Sequence, residues 1–144
     1  MTLISSILKT SSSQDRSLTV FPGGLEHLVP QVNRYTFTDL LARGGIFLSE
    51  RLWDQKPRPH DFPIRNRIIM GLSQSLIVIE AQARSGTMRT AQLALDAGRD
   101  LYLLKHEKTN FFNPQGSISL SEDGAFVFDK IDQLLEALAS TYMN

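Results

Sequence analysis

The stretch LIVIEAQARSGTMRTAQLALDAGRDLYLL, residues 76–104, decides the fold. It opens with the apolar run 76–79, which is rich in β-branched residues and typical of a strand buried on both faces of a parallel sheet. Ser85 then offers a helix cap, and Gly98 ends the helical pattern that follows. Because a further apolar strand occupies residues 101–104, the stretch predicts a strand–helix–strand crossover with residues 76–79 as the central strand.

Strands and helices alternate in the same way upstream of this stretch. A strand over residues 18–21 and a second over 46–48 flank a helical pattern that follows Pro30. The three prolines within residues 51–63 exclude a continuous helix there, so this connection is expected to be extended. A short helix is expected over residues 64–73, immediately before the central strand.

Downstream, a polar loop is expected over residues 105–122, followed by a last strand over 125–128 and a helix over 131–138. This regular alternation predicts an α/β fold, a Rossmann-like three-layer sandwich with a mostly parallel sheet. The Ser-rich run before residue 17 predicts an N-terminal segment and linker over residues 1–16, with one domain over 17–144.

The composition limits the classes of function. The chain has 144 residues, enough for one domain with a hydrophobic core. Its 15 basic and 15 acidic side chains cancel, so binding of a polyanion would need a local basic patch. Without cysteine there is no disulfide, thiolate metal site or cysteine nucleophile, as is usual in a reducing compartment. The apolar run 3–8 is too short for a signal peptide or a membrane span, and we expect a cytoplasmic protein that does not insert into membranes.

The densest cluster of basic residues lies between residues 56 and 67. Within it Arg65 and Arg67 flank Asn66 near the start of the predicted helix, where two guanidinium groups, an amide and helix N–H groups can meet one phosphate. The alternative is that both arginines pair with acidic side chains and fasten the loop. Spacing alone does not decide between an anion site and ion pairs.

Two glycine-containing loops follow predicted strands. Pro22-Gly23-Gly24 comes after the first strand, and Ser85-Gly86-Thr87 comes after the central one. In parallel sheets such loops gather at one edge, where ligands bind, and glycine next to a hydroxyl cap suits a phosphate. The alternative interpretations are a tight turn and an ordinary helix N-cap.

No pattern of catalytic residues stands out. The three histidines are scattered, which excludes the HExxH metal spacing, and the serine-hydrolase elbow, the P-loop and the dinucleotide-binding fingerprint are missing. Glu50 and Glu80 follow strands and suit either a general base or a partner for a nearby arginine. We therefore expect no metal, no cofactor and no enzymatic activity.

Three stretches of the sequence resemble the DNA-processing protein A (DprA/Smf) family. Residues 62–73 read FPIRNRIIMGLS, residues 77–81 read IVIEA and residues 85–91 read SGTMRTA. The family pattern is approximately F-P-x-R-N-R-I-I-A-G-L-S, then V-V-E-A and S-G-S-L-I-T-A, in the same order and at the same spacing. Weaker similarity on either side extends the resemblance to residues 18–138. This region corresponds to the C-terminal half of the family's Rossmann-like domain.

The resemblance implies a protein that binds single-stranded DNA without catalysis, dimerises, protects incoming DNA and helps to load a RecA-type recombinase during natural transformation. In that family a basic pocket at the sheet edge holds the DNA phosphates. The positions that take a binding role by this resemblance are Arg65, Asn66, Arg67, Ser85, Gly86, Thr87 and Thr90, and the loop after the first strand adds Gly24.

The sequence also departs from the family pattern. The family's S-G-x-A-x-G-I-D loop, which would precede Leu18, is not in this sequence, and Lys105-His106 stands where the family has P-G. A sheet shortened in this way exposes a strand edge. We therefore expect either a homo-oligomer or an association with a separately encoded first half of the domain.

Two other functions are compatible with the sequence. Pro22-Gly23-Gly24 partly matches the P-G-G-x-G-T-x-x-E signature of nucleoside-monophosphate phosphoribohydrolases of the same superfamily, although it lacks the G-T and follows the wrong strand. The second of these two functions is that of a nucleotide-binding or truncated protein-interaction module that does not bind DNA.

Overall fold

The computed structural model describes residues 17–105 and 115–142. These residues form two compact units, which divide between Ile68 and Ile69. The N-terminal segment and linker predicted over residues 1–16 lies outside the described residues. None of the helices in the described ranges is long and apolar enough to cross a membrane.

The first unit is built on two parallel strands, β1 (Leu18–Phe21) and β2 (Ile46–Ser49). Between them a turn of 3-10 helix (Gln31–Asn33) leads into α1 (Arg34–Ala42). Gly44 follows this helix with a positive φ of 80°, a conformation that glycine adopts at little cost. The strand–helix–strand order predicted for this part of the chain is therefore present.

Three phenylalanines form the core of the first unit. Phe21 from β1, Phe37 from α1 and Phe47 from β2 pack edge to face, with ring centroids 5.1, 5.0 and 6.0 Å apart. Leu40, one helical turn after Phe37, is buried beside them. Side chains alternate along a strand, which explains why Phe47 turns inward while its two neighbours on β2 are exposed.

The next helix, α2 (Asp61–Leu72), begins in the first unit and ends in the second. The sequence predicts its start at residue 64, which is wrong because the helix already includes Pro63. Proline is tolerated in the first turn, where a backbone N–H has no acceptor within the helix. The connection predicted to be extended over residues 51–63 has neither helix nor strand up to residue 60.

The second unit contains a three-stranded parallel sheet in the order β3-β4-β5. The predicted central strand is β3, which lies at the edge of this sheet, so that prediction is wrong and β4 is central. An apolar run indicates burial but carries no information on strand order. The elements in chain order are β3 (Ser75–Val78), α3 (Gly86–Asp96), β4 (Asp100–Leu104), α4 (Gln115–Glu122), β5 (Phe126–Phe128) and α5 (Ile131–Tyr142).

Helix α4 falls within the segment 105–122 that the sequence predicts to be a polar loop, so the prediction is wrong for residues 115–122. The helix reads QGSISLSE, with too few apolar residues to show a helical period. Its position depends on Leu120, which is buried in the core, and on Gly116, where an added Cβ would lie 2.5 Å from the carbonyl oxygen of Ala81. Residues 106–114 of the predicted loop lie outside the described residues.

Candidate nucleic-acid interface

The carboxyl ends of β1 and β2 lie at the same edge of the first unit's sheet, because the strands are parallel and Phe21 is paired with Ser49. The chain leaves β1 through Gly23, whose carbonyl oxygen accepts a hydrogen bond of 2.8 Å from the Ser49 hydroxyl. Ligands of open α/β sheets bind outside the carboxyl ends of the strands. We call this place the carboxyl-edge cleft. It is a shallow depression of about 10 Å³, so a ligand would lie over it rather than inside it, and its lining includes Pro22, Glu50, Arg51, Asp61 and Arg65.

Arg65 reaches the carboxyl-edge cleft from the start of α2. Its guanidinium group donates to the carbonyl oxygen of Val20 in β1, and its Nε donates to Oδ1 of Asn66 at 3.1 Å. Burial lowers the pKa of Arg65, but an arginine side chain stays protonated in proteins. Since neither acceptor is a carboxylate, no ion pair within residues 17–105 and 115–142 neutralises this charge.

Arg67 lies further along α2 and is more exposed. Its Nη2 donates to both carboxylate oxygens of Glu50, the residue that follows β2. The two side chains are 59% and 46% exposed, and surface pairs of this kind contribute about 0–1 kcal/mol. The ion-pair alternative predicted from the sequence therefore applies to Arg67, whose partner is Glu50. The pair is weak, so exchanging Glu50 for a phosphate would cost little.

Gly24 is buried between β1 and the loop that carries residues 52–55. A Cβ at this position would lie 2.0 Å from the carbonyl oxygen of Leu52 and 2.2 Å from that of Trp53, so only glycine fits. Its N–H donates to the carbonyl oxygen of Gln55 at 2.8 Å. Gly24 thus holds two loops together, and its N–H is already hydrogen-bonded within the protein. A phosphate contact at Gly24 stays a prediction.

Gly24→Ala is expected to lower the free energy of unfolding by about 1–3 kcal/mol, because the new methyl group forces residues 52–55 away from their backbone partners. Urea unfolding followed by circular dichroism measures the change. The matched control is Gly71→Ala, since Gly71 lies in α2 with nothing within 4 Å of an added Cβ. Alanine there is expected to stabilise the helix by up to about 1 kcal/mol. Equal effects of the two substitutions would contradict this role of Gly24.

Asp61, the first residue of α2, anchors the basic connection that precedes the helix. It is 2% exposed, and its carboxylate accepts the backbone N–H of Arg58 at 2.8 Å and the guanidinium group of Arg51. The N–H of Arg58 is the main cause that lowers the pKa of Asp61, with the charge of Arg51 adding to it against the effect of burial. Asp61 was not among the site residues predicted from the sequence, where its one signal is an acidic residue at a helix start.

Acid is expected to remove this anchor. The pKa of Asp61 in the folded chain lies below its ordinary value of 3.8, so its stabilisation is complete above that pH and is lost as the pH falls through the folded-state pKa. Asp61→Asn should therefore have a lower melting temperature than wild type at neutral pH, and the difference should shrink in acid. A difference that does not vary with pH would contradict the assignment. Asp54→Asn, at an exposed carboxylate in the same connection, is the control and should melt like wild type.

In the second unit, the predicted site residues form the start of α3. The Ser85 hydroxyl accepts the N–H of Met88 at 3.3 Å, which is an ordinary helix N-cap. The Thr90 hydroxyl donates to the carbonyl oxygen of Gly86 at 3.0 Å. Gly86 is exposed, and an added Cβ would meet nothing within 4 Å. Packing does not require glycine here, and the N–H groups of Gly86 and Thr87 are first-turn donors without an acceptor inside the helix.

The predicted site residues divide between the two units. Gly24, Arg65, Asn66 and Arg67 belong to the first unit, at the carboxyl edge of β1 and β2. Ser85, Gly86, Thr87 and Thr90 belong to the second unit, at the N-terminus of α3. In the described part of the chain, no group of three or more His, Asp or Glu side chains is arranged to hold a metal.

Parallel strands joined by helical crossovers, with two arginines near the carboxyl ends of β1 and β2, define an α/β protein of the Rossmann-like kind. The sequence model of one family, DNA recombination-mediator protein A, matches residues 5–139. The chain belongs to this family, and the resemblance found in the sequence is confirmed.

Curated relatives match the same region. The chain is 34% identical over 128 residues to the DNA processing protein DprA of Bacillus subtilis, and 36% identical over 122 residues to protein Smf of Escherichia coli. These alignments include 88% and 85% of this chain, but only 42% and 32% of the two relatives. The chain therefore spans less than half the length of the curated relatives it matches.

Two solved structures share the fold. The DNA processing protein A of Helicobacter pylori, whose structure is described for its single-stranded DNA binding mode, is 28% identical with a TM-score of 0.76, over 87% of this chain and 57% of that chain. The protein from Streptococcus pneumoniae is 29% identical with a TM-score of 0.73, over 84% of this chain and 42% of that chain. The Rossmann-like α/β fold with parallel strands, predicted from the sequence, is thereby confirmed.

Proposed function

We propose that this chain binds single-stranded DNA through the phosphate backbone, with the carboxyl-edge cleft as its main contact. The observation that carries the proposal is the pair of guanidinium groups on α2. Within the described residues Arg65 has no carboxylate partner, and Arg67 has an exposed one. Membership of the family and similarity to a structure described for single-stranded DNA binding support the same function.

The two arginines contribute in different ways. Arg65 is held by Val20 and Asn66, so its charge is positioned before DNA arrives and little side-chain entropy is left to lose. Arg67 exchanges Glu50 for a phosphate, and the exposed pair costs little to break. Both contacts release counterions from the DNA, so the affinity falls with salt and does not depend on base sequence.

A further phosphate contact is proposed at the start of α3, in the second unit. The N–H groups of Gly86 and Thr87 and the helix dipole favour an anion, and Ser85 and Thr90 add hydroxyl groups near the start of the same helix. These positions match the S-G-S-L-I-T-A pattern of the family.

Gly86→Ala is expected to leave the fold intact and to weaken DNA binding several-fold. The added methyl group meets no protein atom within 4 Å, but it would crowd a phosphate that approaches the N–H of Gly86. Anisotropy titration with labelled oligo-dT measures the affinity, and thermal unfolding checks the fold. Unchanged affinity in a folded variant would remove the start of α3 from the binding surface.

Competition between single-stranded and duplex DNA tests the proposed function. Labelled oligo-dT is expected to bind saturably and to be displaced by unlabelled single strand at much lower concentration than by duplex of equal length, because a single strand is flexible and its bases are unstacked. Absence of binding, or equal displacement by duplex, would contradict the proposal.

We infer that the chain acts by binding rather than by catalysis, in DNA recombination during natural transformation. The alternative is nucleotide cleavage at the loop that follows β1. That loop is occupied by protein contacts, since Gly24 donates its N–H to Gln55 and a Cβ on Gly23 would lie 2.7 Å from Pro57. Incubation with AMP is expected to release no adenine, and release of the base would favour the phosphoribohydrolase-like alternative.

We propose two protein partners. One is a RecA-type recombinase, and the other is either a second copy of the chain or a separately encoded first half of the domain. Self-association is supported by the edge strand β5, where Phe126 and Val127 are exposed. Light scattering on the purified chain is expected to give a mass above that of the monomer. A clean monomer at high concentration would contradict self-association.

A further inference from the structure

The loop after Glu50 carries the only tryptophan of the chain, Trp53, and its side chain is exposed. Trp53 is 67% exposed and its neighbour Leu52 is 76% exposed. Within the described ranges, the indole ring takes part in no ring–ring contact, hydrogen bond or cation contact. Two adjacent large apolar side chains are thus exposed to water at this loop.

The backbone beneath Trp53 is fixed by the loop that follows β1. Four consecutive carbonyl groups, those of residues 52–55, all accept hydrogen bonds. In chain order the donors are the N–H of Gln55 at 3.0 Å, the N–H of Glu26 at 3.1 Å, the ring Nε2 of His27 at 3.0 Å and the N–H of Gly24 at 2.8 Å. The exposed indole is therefore presented by an ordered loop, which reduces the entropy lost when a ligand binds to it.

Trp53 has exposed charged side chains of both signs close to it, namely the carboxylates of Glu26 and Asp54 and the cations of Lys56 and Arg58. Lys56 and Arg58 follow it in the same connection, both are exposed, and neither forms an ion pair with any described residue. Trp53 is the third residue after Glu50, the partner of Arg67, so the two Cα atoms lie within about 11 Å of each other. What distinguishes this place is an exposed aromatic ring close to Arg67, since a stacking surface beside a cation is the arrangement by which proteins hold single strands without sequence preference.

We propose that Trp53 stacks on a base of the bound single strand while Arg65 and Arg67 hold its phosphates. This inference rests on the proposed function and adds a contact to the bases, which phosphate binding alone does not supply. Every base has a π-face, so stacking on Trp53 favours single strands over duplex and tolerates any sequence. A protein surface covering Leu52 and Trp53 is the competing occupant, and the closeness of Trp53 to the exposed guanidinium group of Arg67 favours the nucleic acid.

The fluorescence of Trp53 reports the contact directly, because no other tryptophan contributes. Oligo-dT is expected to quench this fluorescence as it binds. An oligonucleotide of the same length with abasic sites keeps its phosphates but has no bases, so it is expected to bind more weakly and without quenching. Trp53→Ala is expected to weaken oligo-dT binding about tenfold with the salt dependence unchanged, while Trp53→Phe keeps most of the affinity.

The control is Tyr35→Ala, which removes another exposed aromatic ring of the first unit and is expected to leave the affinity unchanged. Circular dichroism checks that each variant is folded. Binding by anisotropy without a change in Trp53 fluorescence, or wild-type affinity of Trp53→Ala, would overturn the stacking contact and leave the proposed function standing. Absence of any oligo-dT binding would overturn both.

Discussion

The double substitution Arg65→Ala/Arg67→Ala is expected to weaken the binding of oligo-dT on the order of 100-fold. Each guanidinium group makes a charge-assisted contact to a phosphate, and hydrogen bonds to charged groups contribute about 1.5–3 kcal/mol each. The single Arg67→Ala substitution is expected to cost less, because Arg65 remains in place and because Arg67 has to give up Glu50 before it meets a phosphate. Anisotropy titration at low salt measures both.

Two further variants test whether the loss of affinity comes from this site or from the removal of any positive charge. Arg43 pairs with Asp39 at side-chain exposures of 48% and 50%, close to those of Arg67 and Glu50, but it precedes β2 and so lies towards the opposite edge of the sheet. Arg43→Ala is expected to change the affinity by less than about twofold. Glu50→Gln removes the competitor of the phosphate and is expected to strengthen binding. Equal losses in Arg43→Ala and Arg67→Ala would contradict a localised site.

Leu120→Ala is expected to lower the free energy of unfolding by about 2–5 kcal/mol. Leu120 is 1% exposed and packs in one cluster with Val78, Leu101 and Leu103. Truncation removes this burial and leaves a cavity, since β3 and β4, which supply these three residues, are held together by their ladder. Domains of this kind are stable by only about 5–15 kcal/mol, so the variant is expected to be partly unfolded at moderate urea concentrations.

Ile118→Ala is the control for this prediction. Ile118 lies on the same helix, α4, but is 51% exposed, so its truncation is expected to change the free energy of unfolding by less than about 0.5 kcal/mol. Urea unfolding of both variants gives the comparison. A Leu120→Ala variant as stable as Ile118→Ala would show that α4 is not packed as described.

The parts of the fold that follow from local pattern were predictable. The run 76–79 and the cap at Ser85 identify a strand and a helix start because their signals lie within a few residues. Helix α4 was not predictable, because it is held by Leu120 and by the close approach of Gly116 to Ala81, both of which depend on distant residues. The position of β3 at a sheet edge was missed for the same reason, since pairing is a long-range property.

In the candidate site, too, the features that depend on neighbouring residues were predictable and those that depend on distant residues were not. The basic character of α2 is visible in the sequence, and Arg65 and Arg67 were predicted from it together with the family resemblance. Glu50 was predicted as either a general base or the partner of a nearby arginine, without identifying Arg67, and Val20 was not predicted, because both lie far from α2 in the chain. Nor could the sequence show that Gly24 fixes the loop of Trp53, which requires the backbone contact itself.

The salt dependence of oligo-dT binding tests most directly whether Arg65 and Arg67 meet phosphates. For single strands, each phosphate contact adds about 0.7 to the slope of the logarithm of the association constant against the logarithm of salt concentration. We predict a slope that is shallower by about 1.4 in Arg65→Ala/Arg67→Ala than in wild type, with Arg43→Ala keeping the wild-type slope. Identical slopes for wild type and the double variant would contradict the account.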